Sequence, residues 1–364
     1  TYGKGGTDVD NPGEIEINFI SKDTTTPTTN YTIHPAFWWD NDSDGVKDEG
    51  EQVSGIWVGK FETSAEIGST CYTSNTNCNN ANQTPYIIPD LPSLRNQQIV
   101  NEFATAAKFN DYVENLDAHM SKNSEWGAVA YLSHSQYGLN GSNSLYINNV
   151  NLNNKVSTIY AVTGYTGEGT DTSSNSFSSA PTLSDSITNG TYTSYAWYTE
   201  NGQKGSSTQN LTGVYDLSGC VWERVSGYIS NGNSSISSYG STFATTSANT
   251  TGYQSLSTKL ATVYPYNSSS DSEENNWTVY SGLKASTYGF GDAVLETSST
   301  GSGSNSWNSD YSYFVVTSSP FFVRGGYFSG GFYSGLFYFG RRRWRSVNRR
   351  VPRSLGCAVI NLEI

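Results

Sequence analysis

The sequence predicts an α+β domain of two helices, short antiparallel strands and long loops. Composition is the first observation behind this. In 364 residues only 14% are charged and 14% are aromatic, with 26 Tyr and 9 Trp. Abundant Gly, Ser, Asn and Thr favour strands and turns, whereas long helices draw on Ala, Leu, Glu and Lys. So aromatic a chain is also not a disordered one. The second observation is that helical spacing occurs in two stretches. Over 93–110, Leu94, Ile99, Phe103, Ala106 and Ala107 share one face. Over 124–135, Trp126, Val129, Ala130 and Leu132 point inward, with Ser121 or Asn123 as the cap. The third is strand patterning. Residues 14–20 alternate, and 55–62 (GIWVGKFE) reads as a buried strand. Polar stretches over 139–212 and 229–310 surround further short aromatic strands, and no fixed-period repeat is present.

Residues 1–30 read as an N-terminal strand and a Thr/Pro linker closing a preceding region, and 31–364 as one domain. The chain opens on Thr1 without a Met or a signal-peptide pattern, which points to a fragment or a processed form. No apolar run approaches the roughly 18 residues of a membrane span, so no membrane insertion is expected. Four cysteines (Cys71, Cys78, Cys220, Cys357) are too few for a disulfide framework. Cys71 and Cys78 flank a polar loop, where pairing and free thiols stand as equal alternatives.

The net charge of −12 is unevenly distributed. Residues 324–364 hold eight Arg against Glu363 alone, which is +7; the other 323 residues hold 12 basic and 31 acidic side chains, which is −19. Such segregation marks a local interaction surface.

Residues 40–51, DNDSDGVKDEGE, carry the D-x-D-x-D-G-x5-E pattern of a calcium loop. Asp40, Asp42 and Asp44 alternate, so one tight turn presents three hard carboxylates. Gly45 permits the bend, the Val46 carbonyl adds an oxygen, Asp48 stands at the ninth position and Glu51 closes the shell with two oxygens. The flanks are not amphipathic helices, so the expectation is a structural Ca²⁺ and not a sensor pair. A solvated acidic turn is the competing reading.

Three further segments occur in a fixed order: residues 123–132 (NSEWGAVAYL), 213–223 (GVYDLSGCVWE) and 323–326 (VRGG). They resemble the formylglycine-generating-enzyme (sulfatase-modifying factor) branch of the C-type lectin fold. The match is to its Glu-Trp helix start, its G-(V/L)-x-D-(M/L)-x-G-N-V-W-E signature and its R-G-G strand. With His34–Phe37 and the GIWVGKFE strand the resemblance covers about 31–364 and implies that fold. The family's oxidase activity does not follow. Its copper site needs a close cysteine pair, yet Cys220 replaces the usual Asn of the signature and Cys357 stands apart. Three histidines (His34, His119, His134) leave few ligands for an iron site, and His134 reads as a helix-face residue. No hydrolase, zincin, dithiol or dinucleotide motif appears, so the expectation is a binding protein and not an enzyme.

Residues 324–353 (RGGYFSGGFYSGLFYFGRRRWRSVNRRVPR) supply the ligand-facing candidates. Tyr, Trp and Phe give rigid contact area, Arg gives planar donors, and Gly and Ser let a surface adapt. The segment resembles the variable region of proteins diversified by retroelements, in which adenine changes at AAC codons yield Tyr, Phe, Ser, Gly and Arg. The candidates are Tyr327, Phe328, Phe332, Tyr333, Tyr338, Gly340, Arg342, Arg343, Trp344, Arg345, Asn348, Arg349 and Arg350. Leu336, Phe337, Val351, Leu355, Ala358 and Ile360 are assigned to the core.

The expected function is recognition of a host-surface protein or glycan by a phage or prophage tail protein, on a virion tail or an extracellular surface beside other tail proteins. A homotrimer would suit a tail fibre, although no heptad repeat enforces one. Nucleic acid is not the expected partner, because the acidic remainder opposes a polyanion. Arginines docked on the protein's own acidic parts, a formylglycine-type oxidase and a structural virion decoration are the competing readings.

Overall fold

The computed structural model describes residues 18–20, 31–39, 51–53, 55–64, 66–68, 83–94, 97–112, 117–133, 155–156, 159–160, 162–167, 184–189, 192–230, 233–240, 260–287, 291–327, 333–342, 353–355 and 358–361. Its class is mixed α+β, with several sheets and few helices. The central sheet runs Thr262–Tyr264, Trp222–Ile229, Phe321–Arg324, Phe339–Arg342, Ser312–Tyr313, Ser302–Gly303, and Arg353–Leu355 adds to Trp222–Ile229. Pairing is mixed and not purely antiparallel as the sequence suggested. Trp222–Ile229 is parallel to both Thr262–Tyr264 and Arg353–Leu355, and antiparallel to Phe321–Arg324.

All eight residues of Trp222–Ile229 are buried, because both faces of the sheet are covered. Side chains alternate between the faces. On one, Val225, Ile229, Phe322 and Phe339 join Trp126, Tyr264, Tyr280, Phe314, Leu336 and Phe337 in the main core. On the other, Tyr228 and Phe321 meet Ile99, Ala106, Met120 and Val263. Leu336 and Phe337 are thus the core residues the sequence suggested.

Helix Ile99–Ala107 starts later than its spacing suggested, because Leu94 is taken by another partner: its amide donates to the Thr63 carbonyl at 2.8 Å. Glu102 is buried there and reaches Arg224 at 3.1 Å. Helix Asn123–Leu132 is capped at Lys122, not at Ser121 or Asn123, with the Lys122 amide donating to the Glu125 carboxylate at 2.7 Å. Leu132, expected inward, is 38% exposed. A longer helix, Glu273–Thr287, was not foreseen. Its inward residues include Asn276, which donates to the Val315 carbonyl at 3.0 Å and so interrupts the apolar periodicity.

Two further departures concern the strands. Asn18–Ile20 pairs in parallel with Tyr31–Ile33, so the sequence boundary at residue 30 falls between paired strands. Trp57–Val58 is an edge strand with Trp57 at 57% exposure, not a buried one. Its neighbour is Ala358–Asn361, which lies between it and Asp117–Met120. No helix among the described residues is long and apolar enough to cross a membrane.

Candidate ligand-binding face

Trp222, Val323 and Tyr338 form a buried cluster at one end of the central sheet, with Tyr311 and Tyr327 half-buried against it. The Trp222 and Tyr327 rings meet edge to face at 4.6 Å. Beside them Tyr311 lies 4.5 Å from Tyr313 and 4.7 Å from Tyr333, and Tyr313 and Tyr333 are 6.4 Å apart and nearly parallel. Tyr333 is 40% exposed. The result is a patch of tyrosines above a packed aromatic base. Its phenols are protonated donors at neutral pH in at least one case: the Tyr311 hydrogen bond, then burial, push Tyr313 well up.

The backbone under the patch is fixed. Gly325 accepts from the Gly219 amide at 2.8 Å and the Gly335 amide at 3.2 Å, tying the signature turn to the segment. Gly326 has φ +75°, and a Cβ there would sit 2.0 Å from the Tyr333 carbonyl oxygen, so only Gly closes this turn. The Tyr327 amide donates to Ser334 Oγ at 3.2 Å. Buried Asp310 accepts from the Phe337 amide at 2.9 Å. Burial raises Asp310 well above the usual carboxylate range, although the Phe337 amide and Arg324 oppose it.

The three signature segments converge here. Trp126 Nε1 donates to the Leu336 carbonyl at 3.1 Å. The Arg324 guanidinium, fully buried, lies 5.6 Å from the Trp126 ring and 5.8 Å from Phe339, and donates to the Ala293 carbonyl at 3.1 Å. Burial lowers Arg324 to about 10, with Asp292 the chief opposing charge.

Neither protein-family models nor curated proteins give a match to this chain.

Of the ligand-facing candidates, Tyr327 and Tyr333 lie in the patch. Two do not face outward: Tyr338 is 3% exposed within the Trp222 cluster, and Gly340 is buried against the Tyr338 ring. In a strand pairing with Phe321–Arg324, successive residues face opposite sides, and both sides of this sheet are covered. Arg342 ends that strand, opposite Phe321. Phe328, Phe332, Arg343, Trp344, Arg345, Asn348, Arg349 and Arg350 lie outside the described residues, as do Cys71, Cys78, His134, Val351 and Cys357. Tyr311 and Tyr313 were missed by the sequence reading, although their Tyr-x-Tyr spacing is the period that sets two side chains on one face of a strand. Self-docking of arginines, the competing reading, is realised at Arg341, which pairs with Glu273.

Of the calcium-loop residues only Glu51 is described, and it is 7% exposed; Asp40, Asp42, Asp44, Val46 and Asp48 lie outside. The loop's ends are joined. The Trp39 amide donates to the Glu51 carbonyl and the Val53 amide to the Phe37 carbonyl, both at 2.9 Å. Cys220 is buried at φ +50°, against Ser93 Oγ at 3.4 Å. Burial, then Glu62, push its thiol well up, so it stays protonated.

Proposed function

We propose that this chain is a ligand-recognition protein that displays a variable C-terminal surface on a formylglycine-generating-enzyme-type C-type lectin scaffold, as a phage tail adhesin for a host-surface protein or glycan. The observation that carries this reading is the tyrosine patch. Tyr327 and Tyr333 of the arginine- and aromatic-rich segment join Tyr311 and Tyr313 above a rigid buried base. Tyrosines that are half-buried or exposed on a fixed backbone give contact area at little entropic cost, the usual chemistry of adaptable recognition. The convergence of the three signature segments on Trp126, Gly219 and Gly325 supports the scaffold assignment. Cys220 is fully buried and stands where the signature has Asn, which favours binding over oxidation at a close cysteine pair.

The test is to replace Tyr333, the exposed member of the patch, by Ala and measure binding to arrays of surface proteins and of neutral and acidic glycans. Binding seen with the wild type should be lost while the melting temperature stays within about 4 °C, as for exposed substitutions. Retained binding sinks the reading. Tyr338→Ala serves as the contrast and should cost about 3–5 kcal/mol, as for other buried aromatic truncations.

Calcium belongs to the same proposal. Paired loop ends and a buried Glu51 fit a closed loop whose five other oxygen donors come from Asp40, Asp42, Asp44, Val46 and Asp48. A site filled at about 100 times its Kd adds roughly 2.7 kcal/mol. Chelator should therefore lower the melting temperature, and Ca²⁺ but not Mg²⁺ should restore it. An unchanged melt would leave the acidic turn without metal.

A further inference from the structure

A second cluster of rings lies outside the C-terminal segment. Phe61 sits 5.5 Å from Trp197 and 5.4 Å from Tyr215, and Trp197 and Tyr215 are 6.3 Å apart and nearly perpendicular. The cluster is held firmly. Tyr215 Oη donates to the Trp197 carbonyl at 3.0 Å, and the Tyr215 amide donates to the Lys60 carbonyl at 2.9 Å. Tyr215 and Phe61 form a buried floor, and Trp197 is a half-buried wall. Within this cup the Lys60 ammonium lies 4.5 Å from the Trp197 centroid, 5.6 Å from Phe61 and 5.7 Å from Tyr215. No carboxylate among the described residues forms an ion pair with it. Three ring faces thus hold a cation in place of a counter-ion.

We propose that the Phe61–Trp197–Tyr215 cup is a binding site for methylated ammonium groups of the choline type, with the Lys60 ammonium as its resident, displaceable occupant. Ring faces attract a cation through their quadrupoles, and a quaternary ammonium suits them better than a lysine because it sheds water more readily. A half-buried lysine held by rings is displaceable, since its four-carbon stem can swing the charge back into water. The surrounding charge favours arrival of a cation: residues 1–323, which contain the cup, carry −19. The ligand of the C-terminal face plays no part in this site, so the two proposals stand or fall separately.

The experiment titrates choline, and separately its uncharged isostere 3,3-dimethylbutan-1-ol, into the full chain, following saturation transfer to the methyl protons by NMR. The proteins are wild type, Lys60→Ala, Trp197→Ala and Trp197→Phe, each checked by thermal melt. Choline should bind the wild type. Lys60→Ala should bind it about three to six times more tightly, the competition set by one exposed cation–π contact. Trp197→Phe should weaken binding, Trp197→Ala should abolish it, and the isostere should give no signal. If Trp197→Ala does not fold, the graded loss in Trp197→Phe decides the matter. The proposal is overturned if folded Lys60→Ala binds no choline, if the isostere binds as well as choline, or if Trp197→Phe binds like wild type.

Discussion

Glu62 shows how one buried carboxyl sets the response of the signature turn to pH. It is 1% exposed, accepts from Ser93 Oγ and accepts from the Val221 amide at 3.2 Å. Burial, then the charges of Glu223 and Asp216, raise its pKa well above the usual value of 4.5. A carboxyl raised in the folded state binds more protons there than when unfolded. Its stabilisation is therefore complete below about 4.5 and lost as pH rises through the folded value. Glu62→Gln keeps an amide oxygen for Val221 and cannot ionise. Between pH 5 and 8 the wild type should lose at least about 2 °C of melting temperature relative to Glu62→Gln, the shift of roughly 1 kcal/mol. Parallel pH profiles for the two proteins would remove Glu62 as the cause. The same scale shows where sequence reading stopped. Tyr327, Tyr333 and Tyr338 have one residue type and one segment, and only the turn in which the Tyr338 amide donates to the Gly335 carbonyl, just before the strand, sets Tyr338 inside with Trp222 and Val323. Cys220 could be flagged as a departure from an Asn signature, but its φ of +50° gives that departure a physical cost.

Elements were legible where apolar periodicity was uninterrupted and obscure where polar residues turned inward. Asn123–Leu132 could be found because Trp126, Val129 and Ala130 recur at helical spacing. Glu273–Thr287 was hidden because Asn276 fills an inward position through hydrogen bonds to Val315 and Asp271. Strands two to four residues long leave too little alternation to read, and their mixed pairing depends on neighbours far along the chain. Inside Asn123–Leu132, Gly127 separates propensity from packing. A Cβ there would stand 2.1 Å from the Gly291 carbonyl oxygen and within 3 Å of the Asp292 backbone. Ala is favoured over Gly by about 1 kcal/mol in a helix interior. The helix cannot shift outward, though, because Trp126 and Val129 anchor it in the core and the Asn123 amide nitrogen donates to Tyr264 Oη at 2.9 Å. Gly127→Ala should therefore destabilise the protein by about 1–3 kcal/mol, as overpacking does, measured by denaturant unfolding. A gain in stability would mean that the loop bearing Gly291 yields freely.

At the scale of the molecule, the arginine- and aromatic-rich segment is pinned at both ends by strands of one sheet. Phe339–Arg342 pairs with Phe321–Arg324 before it, and Arg353–Leu355 pairs with Trp222–Arg224 after it. Beyond these, Ala358–Asn361 lies between Trp57–Val58 and Asp117–Met120, so residues near both ends of the domain close one sheet. The sequence could assign Leu336 and Phe337 to the core and place the positive charge of 324–364. It could not show that the last strand is an inner one, because that depends on contacts some 240 to 300 residues apart in sequence. Residues 343–352 join Phe339–Arg342 to Arg353–Leu355 in sequence, and exchanging their side chains leaves the length of that link, and so the entropy of closing it, nearly unchanged. Replacing those ten residues by Gly and Ser should thus leave the melting temperature within about 4 °C while abolishing ligand binding. Ending the chain before Ala358 removes an inner strand and should leave no cooperative melt at all. If the Gly/Ser exchange unfolded the protein, the segment would belong to the scaffold and the division between a fixed frame and a replaceable surface would be lost.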